Sequence, residues 1–315
     1  MKVVVTGGAG FIGANVVRDL HGRPEVTDIV VVDDYSTGSP DNLLGTSART
    51  FAGTILDPDL LAEAFDGADS IIHLAALPSV PRSLADPLAS HHAIATGTLN
   101  VLQAARVAGS HVILSSSSSV YGANRELPKR ESMRLDPISP YAVAKQAAEA
   151  YTLAFGRSYG LPVLAFRFFN VYGPLQAAGH AYAAVVPTFI DAALNDRPLI
   201  VNGDGFQTRD FTFVGSVTRV LADAAIGRVV DDSPVNLAFG TRTSLNDMIT
   251  MLGQELGFTP RVEYVAERPG DVRDSQADNA RLQGHFPDVR PVPLPEGLAA
   301  TVAWFRSLAQ RPVGA

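Results

Sequence analysis

From the first residue to about Asn170, short apolar runs alternate with stretches of helical periodicity. Residues 2–6, 28–33, 70–74, 111–116 and 163–168 read as strands, and they are apolar without polar alternation, the pattern of strands covered on both faces. Helical spacing runs through Phe11, Ile12, Val16, Val17 and Leu20, and again over 60–65, 95–108 and 141–158. Strand–helix alternation of this kind predicts an α/β fold, a doubly wound parallel sheet. After Asn170 the pattern loosens. Pro174, Gly179, Pro187, Pro198, Gly203 and Gly205 cut the chain into short pieces, with helices expected over 185–195, 216–226, 244–256 and 295–309. The four prolines of 287–295 predict a loop or extended segment. The organisation expected is a nucleotide-binding domain over 1–170 and a smaller mixed α/β substrate-binding lobe over 171–315, which is free to return a strand to the main sheet. The ligand cleft belongs at the carboxyl ends of the strands.

Composition narrows the picture modestly. Hydrophobic residues make up 46% of the 315-residue chain and charged residues 18%, as in an ordinary globular protein. The net charge of −7 argues against nucleic acid or an anionic membrane as the main partner, so an anionic substrate needs local arginines. With no cysteine in the chain, disulfides, thiolate metal sites and cysteine nucleophiles are excluded, and no metal site is expected. The strand-like N-terminus does not read as a cleaved signal, and no apolar run reaches the ~18 residues of a membrane span. A cytoplasmic location is expected.

The chemistry begins at the first strand. It ends at Thr6 in a glycine cluster, Gly7, Gly10 and Gly13, from which the first helix starts. Such glycines permit a tight turn, close backbone approach to a pyrophosphate and close helix–strand packing. The helix N-terminus then offers N–H groups and a positive dipole end to phosphates. Asp33 closes the second strand, placed to accept hydrogen bonds from a ribose diol and to repel a 2′-phosphate, which favours NAD over NADP.

Tyr141 and Lys145, four apart behind Pro140, share one helix face. Alone, such a pair is ordinarily two surface neighbours. Beside a nucleotide site it acquires a purpose. A free phenol has a pKa of ~10, and an ammonium one turn away together with an oxidised nicotinamide would lower it, giving a base for a hydroxyl proton. The serine run 115–119 ends the strand that starts at His111, where a hydroxyl can bond the reacting oxygen.

Together TGGAGFIG, HLAA at 73–76, SSSSSVYG, SPYAVAK, RFFNVYGP at 167–174, GDGFQTRDFTFV at 203–214 and RPGDV at 268–272 resemble the extended short-chain dehydrogenase/reductase family, most of all its NAD-dependent nucleotide-sugar epimerases of the UDP-glucose 4-epimerase type. The resemblance spans almost the whole chain. It implies Ser117, Tyr141 and Lys145 as the catalytic group, with inversion at C4 through a transient 4-keto sugar and no net redox change. It implies NAD contacts from Gly7, Gly10, Phe11, Ile12, Gly13, Asp33, Asp34, Ser36, Thr37, Gly38, Thr54, Ile55, Leu74, Ala75, Ala76, Ser115, Tyr141, Lys145 and Phe168. It implies contacts to a UDP-sugar from Pro78, Arg82, Ser117, Ser118, Tyr141, Asn170, Val185, Arg209, Arg268 and Asp271, the arginines suiting phosphate oxygens. It also implies a homodimer through the helices near 95–108 and 141–158.

In this resemblance, 4,6-dehydratases carry Asp and Glu where Ser118 and Ser119 stand, and UDP-glucuronate decarboxylases a Glu at 119. Serine hydroxyls supply neither proton transfer, so epimerisation is favoured, with a reductase or dehydrogenase releasing a keto sugar, or a non-catalytic cofactor-binding protein, as the rivals. Thr54 stands where relatives have an aspartate, with Asp57 nearby to substitute. Ile94 replaces an asparagine, which predicts a missing hydrogen bond worth ~1 kcal/mol, and Ser216 replaces an aspartate. Ser275 gates the sugar pocket and leaves room for an N-acetyl group. YGPLQ at 172–176 keeps UDP-glucuronate open beside UDP-glucose and UDP-N-acetylglucosamine, and the loop 176–182 is expected to decide between them.

Overall fold

The computed structural model describes residues 1–179, 183–267 and 273–309. The first half alternates strand and helix: β1 (Lys2–Thr6), α1 (Phe11–His21), β2 (Asp28–Asp33), β3 (Arg49–Ala52), α2 (Pro58–Phe65), β4 (Ser70–His73), α3 (Val80–Ala85), α4 (Pro87–His91), α5 (Gly97–Ala108), β5 (His111–Ser117), α6 (Pro140–Tyr159) and β6 (Val163–Phe168). The helices start and stop where local chemistry says they should. Asp57 caps α2 through the Asp59 and Leu60 amides, with Pro58 at its first position. Ser139 caps α6 through the Ala142 amide at 3.2 Å, Pro140 follows, and Gly160 ends the helix in a left-handed turn. Both cap bonds of Asp57 go to Oδ1. A π-helical turn, His92–Thr96, leads into α5, so the helix expected from residue 95 begins at Gly97.

The second half is built of shorter pieces: β7 (Asn170–Tyr172), α7 (Val185–Leu194), β8 (Leu199–Asn202), β9 (Thr208–Arg209), β10 (Phe211–Phe213), α8 (Val214–Ile226), β11 (Val235–Leu237), β12 (Thr243–Ser244), α9 (Leu245–Leu256), β13 (Val262–Val265), α10 (Ala280–His285) and α11 (Leu294–Ala309). Strand β11 lies beside β6 in the main sheet, whose seven parallel strands run β11-β6-β5-β4-β1-β2-β3. The proline segment is irregular only to Pro293: α11 starts at Leu294 and takes Pro295 into its first turn, where a missing N–H is harmless.

Strand order reverses between β1 and β4, which opens the crevice a doubly wound sheet offers to ligands. One face of the sheet is packed by Val16, Val17 and Leu20 of α1 with Val217, Val220 and Leu221 of α8. On the other, Leu61 and Phe65 of α2 meet Val101, Leu102 and Ala105 of α5 and Phe155 of α6. A separate core joins α7, α9 and α11 around Tyr172, Met248 and Leu298. Among the described residues no helix is long and apolar enough to cross a membrane.

Candidate active site

The glycine turn is forced by close approach. Gly7 sits at φ +70°, and a Cβ there would meet the Ala75 amide nitrogen at 2.7 Å. A Cβ on Gly13 would lie 2.1 Å from the Gly7 carbonyl oxygen. No side chain caps α1 at Gly10, so the first-turn N–H groups of Phe11 and Ile12 stay available to an anion. Asp33 is buried at the end of β2, and its carboxylate accepts from the Ala9 and Tyr35 amides, each at 2.8 Å. Burial pushes this carboxyl up, and the two amides pull it back. Each of its oxygens keeps a further lone pair for a ribose hydroxyl.

The segment after Asp33 folds back on the turn. Ser36 bonds Asp34, Thr37 is exposed, and Gly38 packs on the Ala9 backbone, where a Cβ would come within 2.7 Å. Leu74, Ala75 and Ala76 follow β4, half-buried and facing the turn through Ala75. Ile55 is buried against Gly97, whereas Thr54 is exposed and accepts from the Leu56 amide. A dinucleotide therefore finds a glycine cradle, an uncapped helix start and a buried acid together, and the residues present fit NAD.

The reactive side chains gather at the carboxyl end of β5. The Tyr141 hydroxyl shares a hydrogen bond with Ser117, and Phe168 lies beside Ser117 on the next strand. Burial raises the Tyr141 pKa, and the Ser117 bond opposes it. The lowering expected of an ammonium and an oxidised nicotinamide together concerns the NAD-bound site. Here the Lys145 ammonium donates to the Ser115 carbonyl at 2.7 Å, and burial lowers Lys145 itself to about 8. Ile94 leaves no orphaned polar group: with Leu114, Ala144, Ala148 and Ala165 it forms an apolar patch against which Tyr141 packs. Ser118 and Ser119 form the turn after β5, and the buried Ser119 hydroxyl has no hydrogen-bond partner among the described residues.

A polar chain links this cluster to the glycine turn. Ser115 Oγ donates to the His73 carbonyl at 3.1 Å, His73 Nδ1 lies 2.7 Å from Thr6 Oγ1, and Thr6 Oγ1 accepts from the Ala75 amide at 3.3 Å. On its far side His73 Nε2 lies 3.0 Å from Thr98 Oγ1, which donates to the Ile94 carbonyl at 2.6 Å. The bonding is complete with the proton on Nε2, and burial lowers the His73 pKa to about 3, with the Lys145 charge assisting. Sequence reasoning took HLAA for its alanines and passed over His73. The signal available was a histidine inside an otherwise apolar strand.

The remaining candidates spread over the rim and the smaller lobe. Pro78 is exposed and Arg82 half-buried on α3, just past β4. Asn170 opens β7 two residues beyond β6, and Val185 opens α7. Arg209 donates to the Thr208 and Arg273 carbonyls at 2.9 and 3.1 Å, and the Ser275 amide donates to the Thr208 carbonyl, so β9 is stitched to the segment that carries Ser275. Arg268, Asp271 and part of the 176–182 loop lie outside the described residues.

The chain is 35% identical to the UDP-glucose 4-epimerase of Mycolicibacterium smegmatis, an alignment covering 98% of this chain and 100% of that protein. It superposes on a UDP-N-acetylglucosamine 4-epimerase from Methanobrevibacter ruminantium, solved in complex with UDP-N-acetylmuramic acid, with a TM-score of 0.92, 36% identity and 98% of each chain covered. A UDP-glucuronic acid 4-epimerase from Bacillus cereus, in complex with UDP-glucuronic acid and NAD, gives a TM-score of 0.89 at 27% identity, covering 98% of this chain and 100% of that one. With a family model matching residues 3–232 as well, the chain belongs to the NAD dependent epimerase/dehydratase family and is an NAD-dependent enzyme.

Proposed function

We propose that the protein inverts the C4 hydroxyl of a UDP-sugar. The observation that carries this reading is the Tyr141–Ser117 hydrogen bond beside the buried Lys145, followed by hydroxyls, not carboxylates, at 118 and 119. The relatives' names carry glucose, N-acetylglucosamine and glucuronic acid, and have UDP and position 4 in common.

Ser117 holds the O4 hydroxyl against Tyr141, which removes its proton and later returns it. NAD, when bound, supplies the hydride acceptor and donor. Burial keeps the phenol protonated at rest, and positive charge brought against its ring favours ionisation, so base strength follows the oxidised state of the site. Lys145 fixes the end of β5 through Ser115 and adds its charge to the same pocket. Gly7, Gly10, Gly13 and Asp33 hold the dinucleotide. The lobe beyond Asn170 holds the UDP moiety, with Asn170, Arg209, Arg268 and Asp271 at the diphosphate and ribose, and the half-buried Ser275 leaves room at C2. We also place the protein in the cytoplasm as a homodimer. Exposed Leu84, Leu88, Val107, Val143 and Tyr151 on α3 to α6 support that pairing surface.

The test is incubation with UDP-glucose, UDP-N-acetylglucosamine and UDP-glucuronate separately, without added NAD(H), and product analysis by NMR. C4-inverted product from at least one sugar is expected. Turnover that consumes external NAD(H) and releases a keto sugar would overturn the reading.

A further inference from the structure

Three successive turns of α6 meet the last three residues of β5. Tyr141 bonds Ser117, Lys145 bonds Ser115, and Glu149, one turn further, accepts from Ser116 Oγ at 2.7 Å. Glu149 is itself held by Arg167 of β6, whose Nε and Nη2 reach the two carboxylate oxygens at 3.0 and 2.6 Å. Both side chains are buried, at 5% and 3% exposure. Arg167 Nη1 donates to the Tyr121 hydroxyl at 2.9 Å and the Glu131 carbonyl at 3.2 Å, and the Tyr121 hydroxyl donates to Asn236 Oδ1 at 2.7 Å. The network ties α6, β5, β6 and β11 together.

A buried ion pair is a poor source of net stability, because desolvating two charges offsets much of their attraction; apolar replacements of similar size are often as stable. What the pair does supply is a fixed distance. Apolar contacts between α6 and β5 tolerate a slide along the helix axis, whereas a bidentate guanidinium–carboxylate fork with a third hydrogen bond to Ser116 does not. The Tyr141–Ser117 bond lies two turns away on the same rigid helix, and a misplacement of an ångström at reacting groups is worth orders of magnitude in rate.

We propose that Glu149 and Arg167 form a positioning pair for the C4 chemistry, acting through Ser116 to hold the end of β5 at the height along α6 that sets Ser117 against Tyr141. The inference rests on the 4-epimerase reading above. It assigns the pair to the transition state and not to substrate binding, so its loss belongs in kcat and not in KM.

Two variants test it in the intact protein with its bound NAD. Ser116→Ala cuts the link and leaves the ion pair whole. Glu149→Leu/Arg167→Met replaces the pair by apolar side chains. Both are expected to lower kcat about tenfold or more, with KM for the UDP-sugar within about twofold, NAD content unchanged and the thermal midpoint within a few degrees of wild type. Unchanged kcat in Ser116→Ala, or a loss confined to KM, overturns the inference. If the double variant does not fold, Ser116→Ala decides alone. Wild-type protein that inverts none of the sugars removes the 4-epimerase reading and this inference with it. Wild-type turnover matched by Ser116→Ala removes only the inference.

Discussion

At Tyr141 burial and hydrogen bonding pull in opposite directions, and burial wins. The phenol is therefore a weak base until charge is brought to it, and replacing it with phenylalanine removes the hydroxyl that bonds Ser117. Tyr141→Phe is expected to lower kcat ~100-fold or more while the bound NAD content stays the same; full activity would remove Tyr141 from the role of base. His73 makes a different kind of statement. Its folded pKa of about 3 lies below the ordinary value of 6.5, so the unfolded chain takes up a proton that the folded one refuses. The stability this contributes is complete above about pH 6.5 and is lost as pH falls toward 3, on the order of 5 kcal/mol in all. His73→Gln is expected to cost about 2 kcal/mol at pH 7.5 through its lost hydrogen bonds. In urea unfolding across pH the gap to wild type should narrow below 6.5, and a constant gap would sink the assignment of His73 as the neutral buried group.

Element by element, the strongest constraint lies where β1 hands over to α1. The Gly13 α-carbon abuts the Gly7 carbonyl, and the Gly7–Gly8 backbone leaves a methyl group no room. Gly13→Ala is expected to cost about 1–3 kcal/mol by overpacking. It should also distort the anion-binding turn, so that the purified protein carries less NAD than wild type at an equal folded fraction; wild-type NAD content would mean that the turn relaxes without consequence. Helix α6 is the second organising element. Ala142, Ala144 and Ala148 are buried, and these small side chains bring its backbone close enough for the Tyr141 phenol and the Lys145 ammonium to reach the residues at the end of β5.

For the molecule as a whole, the question is how a lobe made of short pieces holds its arginines in place. Asp210, fully buried beside Arg209, accepts from the Gly240 and Ala277 amides and the Thr241 hydroxyl at 3.1, 3.0 and 2.9 Å, gathering two loops on one carboxylate. Burial raises its pKa, and these donors lower it. Asp210→Asn puts an amide donor against a backbone amide and is expected to cost about 2–3 kcal/mol. If, as proposed, the lobe anchors the UDP-sugar and the chemistry lies on α6 and β5, KM should rise about tenfold with kcat little changed. A fall in kcat at constant KM would place Asp210 in the wrong half of the reaction.

The sequence by itself determined the elements whose cause is local. Val3 to Val5, the glycines after Thr6, Asp33, and the Pro140 start of α6 each carry a propensity or spacing that acts within a few residues, and the parallel sheet follows from their alternation. Strand β3 escaped such reading because it is a short, largely exposed edge strand, and β11 because three residues carry no periodicity. Only the tertiary structure decided how groups far apart in sequence share charge and protons. Lys145 meets the Ser115 carbonyl across 30 residues, His73 meets Thr6 across 67, and Arg167 meets Glu149 between neighbouring layers. Desolvation at such places is a property of what surrounds a side chain in space. No spacing along the chain encodes it, and for that reason the four-residue interval between Tyr141 and Lys145 does not reveal the burial that raises the pKa of the phenol.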